Sequence, residues 1–385
     1  MERKQELSIA KSMPHKKVLL ATRPLVPPWD EASKNFAYFL GREVRDHDLT
    51  LLTTNQHLGD LPSSAIEQPL YQGRYFGFFE KLTLLNYLQT VRQEFDITHY
   101  LFTPTWINTT LIKYLAHPKR GKTVQTVATL REDLYSDREL ESMLFADRLV
   151  VYTDKSKQKI ESLGFHNVER IYPGIDLVKY APQPKFDALL QSFGLTQEHF
   201  IVMYPGEYTR LGATDMLTNA LITYFQNNPT TNMRFLFACR IKTPKDAKKK
   251  EWVKHQFEKA GVSHFVQYTD TIADMPSLYN LSDVVVFPVE NLKGKFDVPL
   301  VIIEAYACGK PVILTDLPEF EEFSNQNFSV IIPKNSGDEL MRSLTLLEQD
   351  VPFRQQLGVN ARAFVEDSFD LTQTAARYSE LYSSL

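Results

Sequence analysis

The sequence predicts an α/β protein made of two domains, each a parallel sheet with helices on both faces, set across a cleft. Three observations carry this reading. Strand-like and helix-like patterns alternate along nearly the whole chain, which is the rhythm of a parallel sheet. The rhythm stops at "IYPGID" (171–176), crosses the linker-like "LVKYAPQPKFDALLQSFG", and restarts at "FIVMYPGEY" (200–208). The chain has 385 residues, 43% of them hydrophobic, which is long for one core and enough for two.

In order, the first strand is "KVLLAT" (17–22). A helix is expected over 31–46, because Phe36, Phe39, Leu40 and Val44 fall on one face. "DLTLLTT" (48–54) is the next strand, 75–95 a helix, "DITHYLFT" (96–103) a strand, 108–116 a helix and "KTVQTVATL" (122–130) a strand. "DRLVVYT" (147–153) is a strand, followed by a helix and "VERIYPGID". In the second domain, 200–208 is a strand running into a glycine turn and 214–226 a helix. "MRFLFACRI" (233–241) is a strand, 245–260 a basic helix, "HFVQYT" a strand, "ADMPSLYNLSD" a short helix and "VVVFPV" a strand. "FDVPLVIIEAYACGKPVILT" (296–315) reads as a helix feeding a strand, and "FSVIIP" as a further strand. From about 338 the chain is expected to be helical to its end, with a break near 367–370. The predicted domains are a disordered tail (1–15), a first domain (16–178) and a second domain (179–367). The helix at about 368–385 is expected to pack back on the first domain.

Composition excludes several classes. A net charge of −4 gives no global reason to bind nucleic acid. No stretch approaches 18 uncharged apolar residues, and the N-terminus lacks the apolar core of a signal peptide. A cytoplasmic location follows, with Cys239 and Cys308 as buried thiols rather than a disulfide. "GKT" at 121–123 is not a phosphate loop, since Ala116 stands where the earlier glycine belongs. There is no G-x-G-x-x-G, H-E-x-x-H, C-x-x-C or G-x-S-x-G, and the histidines form no metal-spaced pair.

The chemistry gathers in the second domain. "YPGEYTRLGAT" sets Gly206, Arg210 and Gly212 between a strand and a helix, whose N-terminus suits a diphosphate. Arg210 adds a fork of donors. Arg240 and Lys242 follow the next strand, on the same sheet edge. Single strand-end cations are commonly solvated; three at successive strand ends point to an anionic ligand. Glu304 is a lone acid among Val301, Ile302, Ile303, Ala305 and Ala307. A buried carboxylate needs hydrogen-bond partners, and the cis-diol of a ribose offers two.

With these residues in place, the chain resembles the retaining glycosyltransferases of family 4, which use nucleotide-sugar donors on two Rossmann-like domains facing across a cleft (GT-B). The resemblance runs through "YPGEYTRLGA", "HFVQYTDTIADMPSLYNLSDVVVFP" and "FDVPLVIIEAYACGKPVILTD", and covers about 350 residues with the first domain. It implies that Glu304, the second acid of the family's E-x7-E pair, holds the ribose. The first acid falls on Phe296, so Asp297 and the segment Val298, Pro299 and Leu300 are expected to face the donor sugar. Glu207 occupies the family's arginine place, which passes the diphosphate to Arg210. Ala128 stands where the family has a histidine, and "PLVPPWDEASKN" lacks the family's glycine pair.

The expected activity is a hexosyltransferase moving a sugar from a nucleoside diphosphate sugar to an acceptor hydroxyl (glycan, lipid or small molecule) with retention. No metal and no cofactor is expected. Arg210, Asp297 and Glu304 are the expected catalytic residues; Gly206, Arg240, Lys242, Phe296, Val298, Pro299 and Leu300 complete the donor site. The alternatives are a nucleotide-sugar epimerase or phosphorylase on the same fold, or a nucleotide-sugar-binding protein without catalysis. Two segments, "KDAKKKEWVK" and "YFGFFEKLTLLNYLQTV", have a composition for peripheral membrane contact at its inner face. For both, packing within the domain or a solvated face is the plainer reading.

Overall fold

The structure, a computed structural model, describes residues 14–29, 31–269 and 274–385. The tail expected at 1–15 lies outside the described residues except for its last two. The chain forms two units, 1–171 with 372–385, and 172–371.

The first unit contains β1 (Lys17–Leu25), α1 (Ala32–Glu43), β2 (Asp48–Thr54), β3 (Ala65–Tyr71), α2 (Phe78–Thr90), β4 (Ile97–Leu101) and α3 (Trp106–Leu111). It continues through a π-helical turn, Ile112–Ala116, to β5 (Lys122–Val127), α4 (Asp137–Met143), β6 (Arg148–Val151), α5 (Asp154–Ser162) and β7 (Val168–Arg170). The sheet order is β3-β2-β1-β4-β5-β6-β7, all parallel. Val18 to Ala21 are fully buried, as a central parallel strand covered on both faces requires.

The second unit contains α6 (Asp187–Ser192), β8 (Phe200–Tyr204), α7 (Ala213–Asn227), β9 (Met233–Ala238), α8 (Pro244–Lys259), β10 (Val266–Thr269), α9 (Met275–Leu281) and β11 (Val284–Phe287). Then come α10 (Leu300–Ala307), β12 (Val312–Thr315), β13 (Ser329–Ile332), α11 (Gly337–Gln349) and α12 (Val351–Ser368); α13 (Leu371–Ser383) returns to the first unit. Its six strands run β10-β9-β8-β11-β12-β13, all parallel. The order reverses between β8 and β11, and in such sheets the crevice outside the strand ends at that point takes the ligand.

Several elements differ from expectation. β3 was not expected: it is an edge strand with exposed side chains and a proline at 69, so it lacks the apolar run that marks a buried strand. The helix expected over 75–95 is shorter, and that over 108–116 begins at Trp106 and widens into the π turn. The C-terminal helix breaks a second time at Asp350, which caps α12 through Phe353 N–H ahead of Pro352. Residues 172–178 belong to the second unit rather than the first. Tyr172 stacks on Phe369 at 4.5 Å, and Ile175 N–H donates to the Phe369 carbonyl at 2.7 Å.

α13 covers the first sheet with Tyr378 and Tyr382, both fully buried. His99, at the centre of β4, stacks on Tyr378 and is bridged by the Tyr382 hydroxyl and Thr126 Oγ1, each at 2.7 Å. Burial holds its imidazole neutral, at about 3. The unfolded chain binds a proton at His99 near the ordinary 6.5, so this contribution to stability is lost as pH falls from about 6.5 toward about 3. Tyr382→Phe strips one partner from the buried ring and is expected to cost about 1–3 kcal/mol. Thermal unfolding checks this, and an unchanged Tm contradicts it.

Candidate functional site

The loop from β8 to α7 has two positions only glycine can fill. A Cβ at Gly206 would lie 1.9 Å from the Tyr204 ring, and Gly212 has φ 85°. Thr209 Oγ1 donates to Asp246 at 2.6 Å, and Asp246 also forms the capping box of α8 with Thr243. One carboxylate thus ties the loop after β8 to the helix after β9.

Within this loop Glu207 is 7% exposed. Arg210 grips it with two parallel bonds, 2.8 and 2.9 Å; Lys295 donates at 2.5 Å and Lys242 stands at 3.3 Å. Burial alone would raise this carboxyl, but the bonds from Arg210 and Lys295 and the charge of Lys242 win, holding it at about 2. Three cations against one carboxylate leave an excess of two positive charges at the ends of β8, β9 and β11. The Arg210 and Lys242 side chains are about 40% exposed (41% and 39%), so their free donors reach solvent. Arg240 is exposed, and after burial its charge is the largest influence lowering the Lys242 pKa.

Burial pushes the Lys295 ammonium down to about 8; the bond to Glu207 opposes this, while Arg210 and Lys242 reinforce it. Lys295 and the role of Glu207 were not read from the sequence. The signal was present, since Lys295 is a further cation after a strand of this sheet, one residue before Phe296.

Glu304 lies one turn into α10 and is partly exposed. Its oxygens accept from the hydroxyls of Tyr279 (2.9 Å) and Tyr180 (3.2 Å). Burial raises its pKa to about 7 against these bonds. The lone acid is therefore satisfied inside the unit, with lone pairs left over for a further donor. Tyr180 is positioned by Arg362, whose guanidinium donates to the carbonyls of Tyr180 (2.7 Å) and Ala307 (2.6 Å).

Gly206, Arg210 and Lys242 are thus brought together with Glu207, with Arg240 beside them. Phe296 and Asp297 are partly buried, Val298 and Pro299 buried, and Leu300 opens α10. At the N-terminus of α7, a Cβ on Gly212 would stand 2.6 Å from Glu290 Cδ. A carboxylate of the protein itself therefore lies at the helix end expected to meet the diphosphate. Cys239 and Cys308 are buried free thiols. Among the described residues no three His, Cys, Asp or Glu stand together as a metal site, and no helix is long and apolar enough to cross a membrane.

A family described as glycosyl transferases group 1 matches residues 199–350, from β8 through α11. The match lies wholly within the second unit. A D-inositol 3-phosphate glycosyltransferase of Jonesia denitrificans is 27% identical over 238 residues, covering 59% of this chain and 54% of its own. One of Mycolicibacterium smegmatis is 30% identical over 175 residues, covering 44% and 37%. The chain spans about half the length of the curated relatives it matches. HepE of Anabaena, solved with UDP and glucose, is alike over 96% of this chain and 100% of its own, at a TM-score of 0.73 and 18% identity. Sucrose-phosphate synthase of Thermosynechococcus elongatus has a TM-score of 0.75 at 16% identity, covering 96% and 98%. These likenesses show that the two α/β units have the GT-B fold.

The charge of Lys295 makes a testable difference to this site. As pH rises through about 8 it loses its proton, and affinity for an anion such as inorganic pyrophosphate is expected to fall several-fold between pH 7 and 9.5. Lys295→Arg keeps the charge and is expected to flatten the profile. Calorimetry across that range checks it; parallel profiles in the two proteins contradict it.

Proposed function

We propose that the chain is a metal-independent, retaining glycosyltransferase that uses a nucleoside diphosphate sugar. The observation that carries this reading is the excess positive charge around Glu207 at the β8/β11 switch point, within the region matched by the group 1 family. The complexes of HepE with UDP and UDP-glucose add support for the donor class.

Arg210, Lys242 and Lys295 bind the diphosphate and stabilise the charge that grows on it as the sugar leaves. Glu304 accepts hydrogen bonds from the ribose diol while Tyr180 and Tyr279 hold its orientation. Asp297 and the Val298–Leu300 backbone face the sugar. On one face of the sugar the bond from C1 to the leaving phosphate oxygen breaks and the bond to the acceptor oxygen forms. The acceptor proton passes to the leaving phosphate. No cofactor takes part.

A second reading, a nucleotide-sugar-binding protein without catalysis, is favoured by Phe296 and Ala128, apolar where the resembled family carries Glu and His. Incubation with a panel of nucleoside diphosphate sugars separates the two, since release of nucleoside diphosphate excludes binding alone. Arg210→Ala and Glu304→Ala are each expected to weaken donor affinity tenfold or more, about 1.4 kcal/mol. Donor binding as tight as the parent's in both variants overturns the site. An inverted product anomer by NMR overturns retention.

A further inference from the structure

A helix that covers a sheet turns its apolar face inward, and α2 does so with Leu84 and Leu88. It also turns Phe78 and Phe79 outward, 71% and 77% exposed. Beside it, Trp106 (61%) opens α3, and Tyr114 (77%) projects from the π turn. The segments are neighbours: Leu84, Leu88, Ile112 and Ala116 share one buried cluster. Between them runs an apolar groove of about 50 Å³, lined by Leu85, Leu88, Phe102 and Leu111, with Lys81 on its wall. Aromatic surface on this scale marks an interaction site.

The charge around it selects the partner. Residues 72–121 hold six Lys and Arg against three Asp and Glu, a net +3 in a chain of −4. Two of the three acids are engaged by backbone: Glu80 accepts from Gly77 N–H at 3.0 Å and Asp96 from Lys17 N–H at 2.9 Å. Arg74 and Lys81 are exposed at the Phe78 end of α2, and Lys119 and Arg120, whose N–H groups donate to the Arg92 carbonyl, are exposed at its other end. A second copy docked symmetrically would oppose like charges. Trp and Tyr favour the boundary between hydrocarbon and headgroup, and basic side chains are drawn to anionic lipid.

We propose that the α2–α3 face of the first unit docks on an anionic lipid surface, with Phe78, Phe79 and Trp106 entering the interface and Arg74 and Lys81 meeting headgroups. The groove accommodates part of an acyl chain. The basic helix α8 is not this surface: Lys250 is buried, Lys249 pairs with Asp215 and Lys254 with Glu251.

The test is co-sedimentation with vesicles of phosphatidylcholine alone or mixed with phosphatidylglycerol, at low and physiological salt. The parent is expected to bind the anionic vesicles, more weakly as salt rises. Phe78→Ser/Phe79→Ser is expected to lose tenfold or more in affinity with an unchanged melting temperature, since both rings are exposed. Arg74→Glu/Lys81→Glu is expected to remove the preference for phosphatidylglycerol. In a Trp29→Phe/Trp252→Phe background, Trp106 emission is expected to shift to the blue on binding. No vesicle binding, no lipid preference, or unchanged affinity in the Phe78/Phe79 variant overturns the proposal. So does self-association of the parent by light scattering that the same variant abolishes. The vesicles contain no nucleotide sugar, so the outcome is independent of the donor site.

Discussion

A buried carboxylate holding three cations organises the functional end of the second unit. Glu207 would be costly to bury alone, and Arg210, Lys242 and Lys295 would repel one another if gathered without it. Each comes from a different segment: the loop after β8, the loop after β9 and the loop after β11. One carboxylate therefore joins three strand ends across the switch point of the sheet. It does not neutralise them, and the two positive charges left over are what an anionic ligand would meet.

The rest of the site is positioned by similar economies. Asp246 serves both the cap of α8 and the loop carrying Arg210. Arg362 serves both the end of α10 and the segment carrying Tyr180. Tyr180 and Tyr279 hold Glu304 in place before any ligand arrives. A ribose would meet a carboxylate already oriented, which lowers the ordering cost of binding.

Most of the fold was legible because buried parallel strands are continuous apolar runs, as in "VVVF" and "FIVMY". β3 was not, since an edge strand has little to bury. Arg210 and Lys242 were found by their places after strands, and Glu304 by its apolar surroundings. The pairing of Lys295 was not legible, since its partner Glu207 lies 88 residues away. Glu207 read as a departure from a pattern, because a carboxylate that gathers cations is visible only when distant loops meet. Tyr180 was also out of reach, being 124 residues from its partner.

The most direct test of the account is a crystal structure with UDP bound. Diphosphate oxygens are expected within hydrogen-bond distance of Arg210, Lys242 or Lys295, and the ribose hydroxyls on Glu304. A nucleotide bound elsewhere, or one whose phosphates avoid all three cations, would contradict it.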